Sequence, residues 1–256
     1  MDKWNIHSTI FDDKELNERV LIVIHEILIE INKLIPNGPP LGFREIKLVN
    51  DPVAGPTMYW PKEGSAYKIA LNISDVNHNQ IAFQFSQEIC RIYCSPKTTN
   101  WFVQLLSHIL ALYMLDFLGE KWEKNPPLTD LKDYWYNFDS YKSNLLGAAF
   151  SKVDMVRYQV ANEWVEQQIE KIRREGKINR GKILIIAYEL LPLFKENPEL
   201  WKMLPLIEKC TPTDAIESSA DRFSEPDLDK LIQDLPENLS PVVFKFLKKL
   251  GIKLPV

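Results

Sequence analysis

The sequence predicts an α+β fold, predominantly α-helical, with a small N-terminal sheet of about three strands packed on a helical bundle. Three observations carry this. Apolar residues recur at helical spacing from Asp13 to Leu34; the next forty residues break into short β-rich segments; and from about residue 78 the helical pattern returns and persists. A chain of 256 residues with 45% apolar content buries a sizeable core without disulfide support. Residues 1–125 form one half, and the helical part 126–256 packs against it to leave a cleft within one compact unit.

The first helix carries Leu16, Val20, Ile24, Ile27, Leu28, Ile31 and Leu34 on one face and stops at PNGPP, residues 36–40. FREIKLVND, PTMYW and SAYKIALNIS are rich in Ile, Val, Tyr and Trp and are separated by Pro and Gly, which makes them the strands. In the third, Tyr67, Ile69 and Leu71 alternate with Lys68, Ala70 and Asn72, so one face is buried. Residues 78–94 form a helix, SPKTTN a turn, and Trp101 to Lys121 a second helix that is apolar over most of its surface. So short a connection packs the two helices as an antiparallel hairpin. The aromatic run DYWYNFDSY, 133–141, precedes a polar helix from about Val153 to Glu175. RGKILIIAYELLPLFKENPELW is a helix punctuated by proline, 211–227 is a loop expected to be mobile, and a last helix ends near Lys249.

Net charge is −4, with acids and bases interspersed, so the basic footprint of a nucleic-acid binder is absent. The N-terminus lacks a basic segment followed by a long apolar one, and VLIVIHEILIEI is too short and too charged to span a bilayer; neither a secretory signal nor a membrane anchor is expected. Cys90, Cys94 and Cys210 are an odd set, which argues against a disulfide framework and fits the cytoplasm.

The chemistry concentrates in NQIAFQFSQEICRIYC. Zinc hydrolases of the HExxH type put two imidazoles on one helix face, with a Glu beside the first as general base. Here the same spacing reads Gln87, Glu88, Ile89, Cys90, Arg91. The order of strand AYKIALNI, this helix, a short turn and NWFVQLLSHILALYMLDFLGEKW resembles the gluzincin clan of zinc metallopeptidases, in particular a small bacterial branch. Gln80, Phe83, Phe85, Glu88, Asn100, Trp101, Phe102, Leu106, Ala111, Leu112, Tyr113 and Trp122 carry the resemblance, over residues 65–122. RGKILIIAYELLPLFKENPELW looks like that family's C-terminal helical part. The resemblance implies a zincin-like hairpin of two active-site helices. It also implies ligand positions at Gln87, Arg91 and His108, with His108 standing where the family has a Glu.

All three ligand positions are substituted. Arginine has no acceptor and cannot ligate a metal, and an amide oxygen is a poor zinc ligand, so no metal and no cofactor is expected. A buried Glu88 without zinc needs another counter-charge, and Arg91, one turn on, supplies it; the alternative is a solvated surface pair. Cys90 and Cys94 with His108 and Glu88 leave open a rebuilt metal site, against the plainer reading of the thiols as small buried groups. His7, His25 and His78 stand alone in sequence.

The leading expectation is a catalytically inactive metallopeptidase-like protein with Glu88 as a vestigial general base. Its cleft, with Tyr67, Ile69, Trp101 and Phe102 as candidate lining, takes a peptide or protein partner. In the active family an extended substrate pairs with an edge strand, here AYKIALNI, and strand addition needs no metal. The alternative is a hydrolase with an altered or metal-free site that uses Glu88 and His108 for proton transfer. A purely structural role is a third. The aromatic run at 134–141 is expected to be core with polar tips rather than a groove.

Overall fold

Four strands, one more than the sequence pattern predicts, make the sheet of the computed structural model, which describes residues 4–40, 42, 44–59, 66–94, 100–153, 162–210 and 226–254. The additional strand is β1 (Asn5–Thr9). It escaped the sequence pattern because NIHST has no apolar alternation: the strand lies at a sheet edge, and only part of its surface is covered. Helix α1 (Lys14–Leu34) follows, capped by Asp13, whose Oδ1 accepts from the Glu15 and Leu16 amides at 2.7 and 3.2 Å. It connects β1 to β2 (Glu45–Asn50), and the two strands run parallel, as a crossover connection allows.

The chain then makes β3 (Thr57–Tyr59) before β4 (Ala66–Leu71), and the spatial order is β1-β2-β4-β3. β4 therefore lies inside the sheet, parallel to β2 with Leu48 opposite Ile69 and antiparallel to β3 with Met58 opposite Ile69. The expectation that AYKIALNI is the edge is corrected: both its sides are paired, and β3 is the edge. Tyr67, Ile69 and Leu71 are buried as their alternation predicts, and Ala70 joins them under the fold.

Helix α2 (His78–Cys94) lies against the sheet, α1 and, most closely, α3 (Trp101–Lys124). Asn100 caps α3 by accepting from the Val103 amide at 2.9 Å. α3 is apolar on every side because it is surrounded by α2, α4 (Tyr136–Lys152) and α6 (Arg180–Glu196). Among the described residues it is the one helix long and apolar enough to cross a membrane, and 72% of that stretch is buried inside the fold.

One C-terminal expectation needs correction. Residues 136–152 are the helix α4, where the sequence suggested only an aromatic run. The polar helix reaching Glu175 is described from Asn162 as α5 (Asn162–Glu175), with 154–161 outside the described residues. A 3-10 stretch, Pro198–Cys210, takes over where Asn197 ends α6. The expected mobile loop falls almost wholly on 211–225, outside the described residues. Helices α7 (Leu228–Asp234) and α8 (Ser240–Lys249) complete the chain. Buried side chains from both halves, among them Tyr67, Phe102, Phe138, Phe194 and Phe246, belong to one connected core.

Candidate functional site

Arg91 shares a face of α2 with both Gln87 and Glu88, since steps of four and three residues return to nearly the same side of a helix. Positions 104 and 108 share a face of α3 for the same reason. The two faces meet. Arg91 reaches Gln104, and Phe83 stacks edge-on to His108 with ring centres 6.2 Å apart, so the partner on α3 advances as that on α2 recedes. This is the register of an antiparallel hairpin, and it sets Gln87 between the levels of Gln104 and His108.

Glu88 is wholly buried. Arg91 Nη1 donates to both of its oxygens, at 2.6 and 2.7 Å, while Nη2 donates to Gln104 Oε1 at 3.2 Å. The Met58 amide of β3 donates a further hydrogen bond to the carboxyl group. Burial pushes the Glu88 pKa up, and the charge and hydrogen bond of Arg91, the Met58 amide and the more distant charge of Arg180 offset only part of that, so it stays raised. The Arg91 side chain is 15% exposed, so this pair is internal, unlike the surface pair that spacing alone would suggest.

His108 is 7% exposed, and its Nδ1 lies 2.8 Å from the Gln104 carbonyl, which fixes the proton on Nδ1 and leaves Nε2 as an acceptor. Burial, with the charges of Arg91 and Arg180, pushes its pKa down to about 4, so the ring is neutral at pH 7. Gln87, 9% exposed, makes no side-chain hydrogen bond among the described residues. No hydrogen bond joins Glu88 to His108, so the two are not set up as a proton-transfer couple.

Chemically, this constellation does not fit zinc. It offers one imidazole nitrogen and a neutral amide beside a guanidinium that is already committed to the only carboxylate. Among the described residues no three His, Cys, Asp or Glu side chains gather closely enough to hold a metal. Cys90 and Cys94 lie 3.8 Å apart, buried, and are not grouped with His108; burial and their mutual proximity push the Cys94 thiol well above its ordinary range. Cys90 is about 200° around the helix from Glu88, which separates the thiols from the ion pair.

Four expected lining residues are corrected. Tyr67, Ile69, Trp101 and Phe102 are core residues, the most accessible being Trp101 at 3%, and they offer no surface to a ligand. The aromatic run divides: Phe138 is core and Tyr134 and Tyr141 pack against it, while Trp135 and Tyr136 are exposed. Three contributors were missed. Gln104 was legible as the residue four before His108 on the same helix face, whereas Met58 enters through its backbone, which no side-chain pattern reveals. Arg180 arrives from the start of α6, far along the chain. No family model, curated protein or solved structure matches this chain.

Proposed function

We propose that this chain is a catalytically inactive, gluzincin-like protein whose active-site hairpin has become a metal-free cleft for a peptide or protein segment. The observation that carries this is the Glu88–Arg91 pair. At the spacing where a zinc peptidase has its general base and second histidine, a buried carboxylate meets a guanidinium held on its other side by Gln104. A bound divalent cation would neutralise such a carboxylate, and Arg91 does so instead. The neutral His108, where the resemblance puts the one anionic ligand, keeps the charge balanced without metal.

An extended segment would add to β3, the outermost strand of the described sheet on the side of α2, where Glu88 already accepts from the Met58 amide. The hydrolase alternative has less support, because the Glu88 carboxylate is engaged by Arg91 and Met58 and lies out of contact with solvent. A cytoplasmic setting fits three free, buried cysteines. The test is the zinc content of the purified protein beside that of the Gln87→His, Arg91→His, His108→Glu triple variant. The reading expects no stoichiometric zinc in the unaltered chain and one equivalent in the variant. Stoichiometric zinc in the unaltered chain, or none in a folded variant, would overturn it.

A further inference from the structure

Two polar side chains at the head of this site are nine-tenths or more buried and have unused hydrogen-bonding capacity. The Gln87 amide has no partner, and the only bond to the His108 ring is at Nδ1, which leaves Nε2 unmatched among the described residues. Neither is among the atoms sealed from solvent without a partner, so both are open to a ligand that replaces water there. Their charge environment is asymmetric. Arg91 is cancelled by Glu88, but Arg180, exposed at the start of α6, makes no ion pair among the described residues and still acts on both Glu88 and His108. The site is left with one uncompensated positive charge, a neutral imidazole acceptor and an amide that donates and accepts.

We infer that this cleft binds the carboxyl-terminal residue of a peptide, its carboxylate held by Arg180 and the Gln87 amide and its backbone N–H by His108 Nε2. The inference rests on the reading of the hairpin as a binding cleft and names its ligand class. The terminal residue of a peptide is the simplest group that places an N–H donor two bonds from a carboxylate carbon, matching an acceptor beside a cation. A simple anion would use Arg180 alone and leave His108 unmatched. The edge-on pairs of Phe83 with His108 and with Tyr141 put aromatic surface beside the site, suited to an apolar terminal side chain.

The test is calorimetric titration of the full chain with N-acetylated alanyl-alanyl-leucine as the free acid, with the same peptide as its C-terminal amide, and with acetate. The acid is expected to bind about tenfold or more tightly than the amide, as loss of a charge-assisted contact implies. Acetate at the same concentration should not displace it. Arg180→Gln, at an exposed position that leaves the fold intact, should bring acid and amide within about twofold. Gln87→Leu should weaken the acid while leaving the amide little changed. Equal binding of acid and amide, binding of neither at millimolar concentration, displacement by acetate, or selectivity that survives Arg180→Gln would overturn the inference. Zinc in the unaltered chain would instead overturn the reading beneath it, so the two failures are separable.

Discussion

Arg91 is an arginine for a geometric reason. Its Nη1 serves both Glu88 oxygens while Nη2 bonds Gln104 on the neighbouring helix, a division of labour that the single ammonium of lysine cannot reproduce. Arg91→Lys should therefore keep the charge but lose the link to α3, lowering stability by about 1–2 kcal/mol in urea unfolding. His78 is the opposite case: a buried imidazole with both nitrogens unpartnered among the described residues, edge-on to Trp122 at 5.4 Å and to Tyr134 at 4.9 Å. Burial first, then the charge of Arg19, pushes its pKa down to about 4, against weaker upward pulls from Asp130 and Asp75. The unfolded chain thus binds a proton near pH 6.5 that the folded chain refuses until about pH 4. Stability is full above that window and falls through it, by at most about 3 kcal/mol for this ring. His78→Phe should flatten that part of the stability profile and raise the urea midpoint at pH 7. His108, also down at about 4, keeps part of the slope in the variant. At this scale Glu88, Arg91 and His108 were singled out by the resemblance to a zinc-peptidase hairpin, since spacing alone favours a surface pair. The sequence could not reveal that Gln87 would be unpartnered, because that depends on what α3 presents opposite it.

Helix α2 is held over its first two turns by two different devices. Near its start the Tyr134 phenol oxygen accepts from the His78 and Asn79 amides, and the Asn79 side chain donates to the Asn137 carbonyl at 3.1 Å. Tyr134 therefore caps α2 from outside the helix and does the work of a local Ser or Asp. One turn further on, Gln84 reads the Asn72 backbone as a strand would, accepting from its amide at 2.8 Å and donating to its carbonyl at 3.0 Å, with Gln80 donating to the same carbonyl at 2.9 Å. These bonds set the height of Glu88 against Met58. Tyr134→Phe should lower the thermal midpoint by the equivalent of about 1 kcal/mol. Hydrogen exchange should show the loss at the first turn of α2, with α3 unaffected. The elements that were legible are those with a period: α1, α2 and β4. Those that were not include β1, too polar to alternate, and α4, whose buried residues Phe138, Leu146, Ala149 and Phe150 do not form a continuous stripe.

The whole molecule is organised around α3. Its hydrophobic surround explains why a helix long and apolar enough for a membrane is covered here by α2, α4 and α6. One polar tie crosses three of these elements. Asp116 of α3 pairs with Lys142 of α4 and, at 2.7 Å, with Lys195 of α6, and Lys142 also reaches Asp139 at 3.1 Å. Asp116 and Lys142 are largely buried while Lys195 is more open, so most of the effect lies in the first pair. Asp116→Ala should cost about 2–3 kcal/mol in urea unfolding, more than Lys195→Ala, because it leaves the largely buried Lys142 ammonium with only the exposed Asp139 as partner. This tie, like Arg180, was invisible in the sequence: it joins residues 116, 142 and 195 only once the helices have packed. The two-layer plan of small sheet and helical bundle was legible because each layer buries its own periodic face.

The central claim is that an internal ion pair holds the site at the metal-ligand spacing. A double-mutant cycle with Glu88→Gln, Arg91→Met and the combined variant, read by urea unfolding at pH 7, tests it most directly. The account predicts a coupling of about 2 kcal/mol or more, with Arg91→Met alone costing about 3–5 kcal/mol and Glu88→Gln recovering much of that loss. A coupling below about 0.5 kcal/mol, the range of a solvated surface pair, would contradict it.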